Sequence, residues 1–417
     1  MAIINISSNV SLGELTSVND GDTVLFKTNT VFDAALLTPN LIVKEDITVG
    51  YYGTGEKPMF SGGVTRLGNT FTQDAPNGVW YVSLGHSKGG CVSEDGVMMQ
   101  FTNWLSNPDT PTALANTLAS MVEGSFMIDA KTDNLNHKLY IKTAGNNPVG
   151  KTYIVAETKY AFLCTSAPRS NLRVENLAFE YLSVGPLAMG KITNSFVDGV
   201  DCYKMGANYL TTGGDGTVYY YGGGISYEHS SYNGIVQNCL AEDCFDSSFS
   251  PQTFVQDAEI DGMLFKNNIS RRCGMSAMEV AIAVNLDNQK IKNVHVDGLL
   301  AEDTGINNWS GNRGGDVIKM LIAYPTWNKS ITACVFENIQ VKNAVSIVKT
   351  GYLKGTNRFI NIYGDNVTNL VVEDGVANTI KNQYYNFTDN LGRNLSAFTT
   401  WDSTPGIALP TRTILSR

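Results

Sequence analysis

Four carboxylates draw attention by type and position. Glu228, Asp243, Asp246 and Glu279 lie on or beside short segments that read as strands. Glu279 is the one charged residue in Ser276-Ala277-Met278-Glu279-Val280-Ala281-Ile282-Ala283. Two carboxylates within reach of one another can divide the work of general acid and general base. His229 follows Glu228 directly and is one of four histidines; it is a candidate base or hydrogen-bonding partner. Each of these has a plainer reading. Aspartates are common at turns, an outward Glu can simply be solvated, and a lone His is often a surface group.

Aromatic and basic residues flank the carboxylates. The loop from Thr211 to Gly224 carries Tyr219, Tyr220 and Tyr221 among glycines, and the one from Asn307 to Lys329 carries Trp309, Tyr324 and Trp327. Loops on a rigid scaffold commonly hold binding groups, and flat rings pack on apolar ligand faces; such rings can also merely cover the scaffold. Arg271, Arg272 and Arg313 are the main basic candidates, either for an anionic ligand or for salt bridges at turns. The glycine-rich pieces Gly213-Gly214-Asp215-Gly216 and Gly222-Gly223-Gly224 match neither a phosphate loop nor a dinucleotide fingerprint. No CxxC or HxxxH spacing occurs, so no metal centre is expected.

The elements that must position these residues repeat. An apolar–polar–Asn/Gly unit recurs as Val174-Glu175-Asn176, Val197-Asp198-Gly199, Val236-Gln237-Asn238, Phe265-Lys266-Asn267, Val296-Asp297-Gly298 and Phe336-Glu337-Asn338, at intervals of 23 to 40 residues. Such a period signals stacked repeats. Each unit is too small to bury its own apolar face, so neighbours must stack to make a core. The expected fold is all-β, a parallel β-helix. Asn at the recurring turn tolerates a left-handed backbone and can bond neighbouring main chain, and Gly199 and Gly298 take its place where that backbone costs least. Segments 224–229, 248–252, 277–281 and 316–320 then read as strands of successive coils. With Ile225, Phe249 and Met278 pointing inward, Glu228 and Glu279 point outward, two coils or roughly 10 Å apart, with Asp246 on the coil between. The loop before Asp316 obscures its register.

Residues 1–62 read as the first coils, 63–160 as an inserted subdomain that breaks the rhythm, 161–378 as the main solenoid, and 379–417 as a cap or oligomerisation segment. Leu114, Leu118 and Met121 have helical spacing inside the insertion. Seven cysteines over 417 residues are no disulfide framework. Cys244 and Cys273 fall at equivalent positions of neighbouring coils and read as small buried residues. The net charge of −9 favours no nucleic-acid partner. No membrane-inserting segment is visible, and the N-terminus lacks the pattern of a secretory signal.

Gly21-Asp22-Thr23-Val24-Leu25-Phe26, with Gly50-Tyr51-Tyr52-Gly53-Thr54-Gly55-Glu56-Lys57-Pro58, resembles the first coils of right-handed parallel β-helix, pectate-lyase-like carbohydrate-active proteins. Gly124–Asp129, Lys138–Ile141 and Asn147–Lys151 resemble the insertion many of these carry, and Asn171-Leu172-Arg173-Val174-Glu175-Asn176-Leu177 the start of the main helix. The group holds glycoside hydrolases, polysaccharide lyases and phage tailspike depolymerases, and the chain is most similar to the last. The resemblance implies a homotrimer on a virion tail that cleaves a bacterial capsule or O-antigen polysaccharide. Hydrolysis by a carboxylate pair from Glu228, Asp246 and Glu279, or less directly Asp243, needs no cofactor. His229, Tyr219, Tyr220, Tyr221, Trp309, Trp327, Arg271 and Arg272 are the expected sugar-binding residues. The alternatives are β-elimination on a uronate-containing glycan, with a calcium ion possible, and a spike that binds glycan without cutting it.

Overall fold

The computed structural model describes residues 1–37, 44–74, 78–85, 89–103, 111–129, 136–164, 167–212, 218–283, 285–306, 308–311, 313–323, 328–351, 357–374 and 384–389. Residues 41–43, together with Tyr324, Trp327 and most of the C-terminal segment, lie outside them.

The repeat units stack in register. Val174, Val197, Val236, Phe265, Val296 and Phe336 pair one above the next as parallel strand neighbours, and all six side chains are buried. After each comes the left-handed corner, with φ between 53° and 56° at Asn176, Asn238, Asn267 and Asn338, 64° at Gly199 and 79° at Gly298. Corner side chains bond from coil to coil: Asn238 Nδ2 donates to Asp198 at 2.7 Å and Asn338 Nδ2 to Asp297 at 2.8 Å. The two glycines answer a second demand beyond dihedral freedom. A Cβ at Gly199 or Gly298 would lie 2.5 or 2.7 Å from the amide oxygen of Asn176 or Asn267 on the coil before.

The chain is thus a right-handed parallel β-helix. Past the corner runs a second column of strands, Asp201–Met205, Leu240–Cys244, Ile269–Arg271 and Leu300–Thr304. Its outward row alternates in charge: Arg271 Nε lies 2.6 Å from Glu302, and its Nη1 lies 4.0 Å from Glu242. A third column comprises Gly185–Gly190, Ile225–Glu228, Ser247–Thr253, Ser276–Ile282 and Asp316–Ile322. The two 17-residue strands Val335–Gly351 and Arg358–Asp374 run through all three columns and join them into one sheet. Ile225, Phe249, Met278 and Ile318 pair in order and point inward, as expected.

Between Gly63 and Ala156 the chain leaves the solenoid. It forms a four-stranded antiparallel sheet and a five-stranded sheet that includes the hairpin of Ser125–Asp129 with His137–Lys142, and the helix Pro111–Ser120 packs beside them. This unit shares one apolar cluster with Phe245 and Trp309 of the solenoid, so it is docked against the wall rather than tethered to it. Cys91, Cys202, Cys239, Cys244, Cys273 and Cys334 are buried and free of disulfides.

Gly298→Ala is expected to lower the unfolding free energy by about 1–3 kcal/mol, from strain at a left-handed position and the crowded Asn267 amide. Denaturant titration measures it, and an unchanged midpoint would contradict the corner packing.

Candidate active site

Three neighbouring strands of the third column build an ionised cluster on the outside of the solenoid. In two of them successive residues turn inward, Ala277 with Met278 and Val317 with Ile318. The strand therefore bends, and the positions on either side face outward together. On one side of the bend Ser247, Ser276 and Asp316 form a row. On the other side Glu279 pairs with Lys319 on the next coil. Glu279 Oε1 is 3.0 Å from Lys319 Nζ, and Ser247 Oγ donates to its Oε2 at 2.8 Å. Ser276 Oγ lies 2.8 Å from Ser247 Oγ. Both carboxylate oxygens of Glu279 are therefore held, and the residue is only 5% exposed.

Asp246 stands at the turn into Ser247–Thr253. Its main chain is tied on both sides, by N–H to Gly222 and by C=O to the N–H of Met275. Its side chain is ringed by protein but 17% open. Arg313 Nη2 approaches Oδ1 at 3.5 Å, too long for a good hydrogen bond, and Oδ1 has no hydrogen-bond partner among the described groups. Burial pushes the Asp246 carboxyl up to about 6; Arg313 pulls against this and the charge of Glu279 adds to it. Burial works against the ammonium of Lys319, yet the charges of Glu279 and Asp246 hold its pKa above the ordinary lysine value. Asp316 is raised by burial, with the Ser346 hydroxyl donating to it at 2.6 Å and opposing the shift. The site therefore pairs a carboxyl poised to carry a proton with a clamped carboxylate and a cation that stays charged.

Arg313 is delivered by the loop before Asp316. Its guanidinium lies 4.2 Å from the centre of the Phe245 ring and donates to the carbonyl of Tyr220. Glycines at positive φ flank it, Gly311, Gly314 and Gly315.

Glu228 sits elsewhere on the same face. It pairs with Gln252, and Gln252 with Ala281, whereas Glu279 is the neighbour of Met278. The two glutamates are thus two coils apart and also two residues offset along the strand, roughly 12 Å between backbones. The expectation of simple two-coil spacing missed that offset, because Glu228 comes three residues after its inward partner Ile225 and Glu279 one after Met278. Glu228 meets Ser226 at 3.4 Å and His229 at 4.0 Å, close to the Tyr160 and Tyr221 hydroxyls, which are 3.3 Å apart. Burial raises Glu228, and burial together with Lys191 lowers His229.

The other expected residues divide. Asp243 lies at a left-handed corner, held by Arg272 Nε at 2.8 Å. Arg272 also meets Glu242, and Arg271 holds Glu302; neither arginine reaches the Asp246–Glu279 cluster. Tyr219 is exposed, whereas Tyr220 is buried, its hydroxyl donating to Ile128 O at 2.9 Å. Trp309 is buried against Phe126 and Phe245, with Nε1 donating to Asp243 O at 2.9 Å. Trp327 lies outside the described residues. Sequence reasoning missed Lys319 and Ser247; the signal for Lys319 was its place in Asp316-Val317-Ile318-Lys319, one residue past the inward Ile318, as Glu279 is past Met278. A shallow concavity of about 400 Å3 beside the asparagine corner is lined by Asn238, Asn268, Asn338 and aliphatic neighbours. It has no ionisable side chain and offers no acid–base chemistry. Among the described residues no three His, Cys, Asp or Glu side chains gather to hold a metal ion, and no helix is long and apolar enough to cross a membrane.

No protein-family model matches this sequence, and no curated protein matches it either. Several solved structures match it at low identity. The complex structure of XylC with xylose is 9% identical, with 92% of this chain and 71% of that chain covered at a TM-score of 0.46. A rhamnogalacturonan lyase is 10% identical, covering 88% and 74% at 0.45. The polygalacturonase from Erwinia carotovora ssp. carotovora is 10% identical, covering 93% and 86% at 0.40. These are proteins that this chain is similar to in overall path, and their activities are their own.

Proposed function

We propose that the chain is a glycan depolymerase that hydrolyses glycosidic bonds, with Asp246 as general acid and Glu279 as the ionised carboxylate opposite it. The observation that carries this reading is the unequal pair. Asp246 has a raised proton affinity and an unpartnered oxygen, while Glu279 is bound at both oxygens by Lys319 and Ser247. Two carboxyls with environments this different divide into acid and base without further help. Asp246 donates its proton to the departing glycosidic oxygen. Glu279 accepts a proton from the attacking water, or itself meets the anomeric carbon, as positive charge builds on the sugar ring. Lys319 pairs with the Glu279 carboxylate, and Ser247 fixes its rotamer. Glu228, with Tyr221 and His229, supplies hydrogen bonds to sugar hydroxyls further along the same face.

β-Elimination is the competing reaction. Lys319, the lysine in place to act as its base, is held protonated by Glu279 and Asp246, which supports hydrolysis over elimination. Products that absorb in the ultraviolet as unsaturated uronates would reverse that order. Protein that binds a glycan but never shortens it would be a spike without catalysis.

The finer reading is a bacterial capsule or O-antigen polysaccharide as substrate, cleaved by a homotrimeric phage tailspike on a virion tail. It is supported by the resemblance of the Gly21–Phe26 and Gly50–Pro58 segments. Digestion of a panel of such polysaccharides, with mass analysis of the products, tests the substrate. Light scattering should give three times the 45.3 kDa chain mass; a monomer would remove the trimer.

Asp246→Asn and Glu279→Gln are each expected to lower kcat by about 10²- to 10⁴-fold with unchanged circular dichroism; either variant keeping full activity rules out its residue. Since Asp246 must be protonated to act, activity should fall as pH rises through about 6. Arg313 lowers that proton affinity, so Arg313→Met should move the alkaline limb to higher pH. A limb that stays in place would show that another group is the acid.

A further inference from the structure

Asp243, Arg272 and Trp309 have no part in the proposed cleavage, yet the fold gathers them. They line a groove of about 650 Å3 between the solenoid corner and the inserted unit, within the size range of small-ligand sites. The solenoid side contributes Lys204, Asp243 and Arg272 from three successive coils. The inserted unit contributes Gly96, Val97, Met98 and Gln100, and the floor is Asn308 with Trp309.

We propose that this groove is a second saccharide-binding site, taking a neutral, hydroxyl-rich sugar unit. The class of ligand rests on the carbohydrate reading above; the place and polarity do not. Three features set the chemistry. Charge is locally balanced in number, with Lys204 and Arg272 against Asp243 and Glu242; Arg272 is committed to both acids and Lys204 bonds the Tyr181 hydroxyl, so the groove presents no excess of positive charge to an anion. Donors and acceptors both line the walls: Lys204 and Arg272 donate, Asp243 accepts, and the amide of Gln100 does both, while Asn308 spends its amide on the carbonyls of Cys244 and Arg272 and the N–H of Ser310. An apolar lip, with Val97 72% exposed and Met98 beside it, suits the C–H face of a sugar ring better than bulk water.

The groove is rigidly joined to the cleavage site. Phe101 N–H bonds the carbonyl of Trp309 at 2.6 Å, the Trp309 ring packs on Phe245 at 5.4 Å, and the Arg313 guanidinium lies over the Phe245 ring. One inter-coil loop therefore furnishes the floor of the groove and the cation beside Asp246. A glycan lying across this corner would be gripped at both places.

The test uses the full chain and its Glu279→Gln variant. Saturation-transfer and chemical-shift NMR would be run with glucose, galactose, mannose, rhamnose, N-acetylglucosamine and N-acetylgalactosamine, with glucuronate and galacturonate as anionic comparison. The expected result is binding of at least one neutral sugar, equal in both proteins, and weakened about fivefold or more by Gln100→Ala and by Lys204→Met, as for loss of one or two hydrogen bonds. Gln100 is exposed, so its variant carries the test if Lys204→Met does not fold. No neutral sugar bound, binding untouched by the groove variants, or uronates bound more tightly would each overturn the proposal. Binding lost in Glu279→Gln instead would place the sugar at the cleavage site. If no polysaccharide is cleaved but groove-dependent binding persists, the hydrolase reading fails and this one stands.

Discussion

Parallel hydrogen bonding between coils is the constraint from which the rest follows. It fixes neighbouring strands about 4.8 Å apart and holds them in one register, so every outward position becomes a row along the solenoid axis. Glu279 and Lys319 are 40 positions apart in sequence and 3.0 Å apart in space for this reason alone. The rows have their own chemistry: asparagine and aspartate at the corner, alternating charges on the second column, serine and acid on the third. Function on such a scaffold depends less on any local motif than on which residues share a row.

The cluster of Asp246, Glu279 and Lys319 shows what this arrangement costs. Glu279, Lys319 and Asp246 are largely withdrawn from water, and ions withdrawn from water are unfavourable unless paired. Glu279 and Lys319 satisfy each other, with Ser247 completing the carboxylate. Asp246 is the member left over. It has only a long contact to Arg313, and the structure meets its burial by raising its proton affinity. The same imbalance that makes Asp246 a poor contributor to stability in its ionised form makes it a competent proton donor.

The solenoid was readable in the sequence because its rules are short-range. An inward apolar residue followed two positions later by Asn or Gly appears six times, and each instance lies where the stacking requires. The inward residues Ile225, Phe249 and Met278 were readable for the same reason. The site was readable only in part. Asp246 and Glu279 stood out as acids beside apolar or small neighbours, but Lys319 looked like any strand lysine, since its partner lies on another coil. The offset between Glu228 and Glu279 depends on how far each lies from its inward neighbour, which alternation alone does not convey. Trp309 and Tyr220 looked like ligand platforms because loop aromatics often are; the docked insertion, whose position no local pattern encodes, buries both.

The alternating row on the second column has a consequence for assembly of the chain. Glu242, Arg271 and Glu302 attract only when each coil sits on its proper neighbour. Sliding one turn past another would set acid against acid, on a scaffold whose repeated backbone would otherwise accept the mistake. The ionic ladder thus favours the native stacking over a slip of one coil, and dissolved salt would weaken that preference.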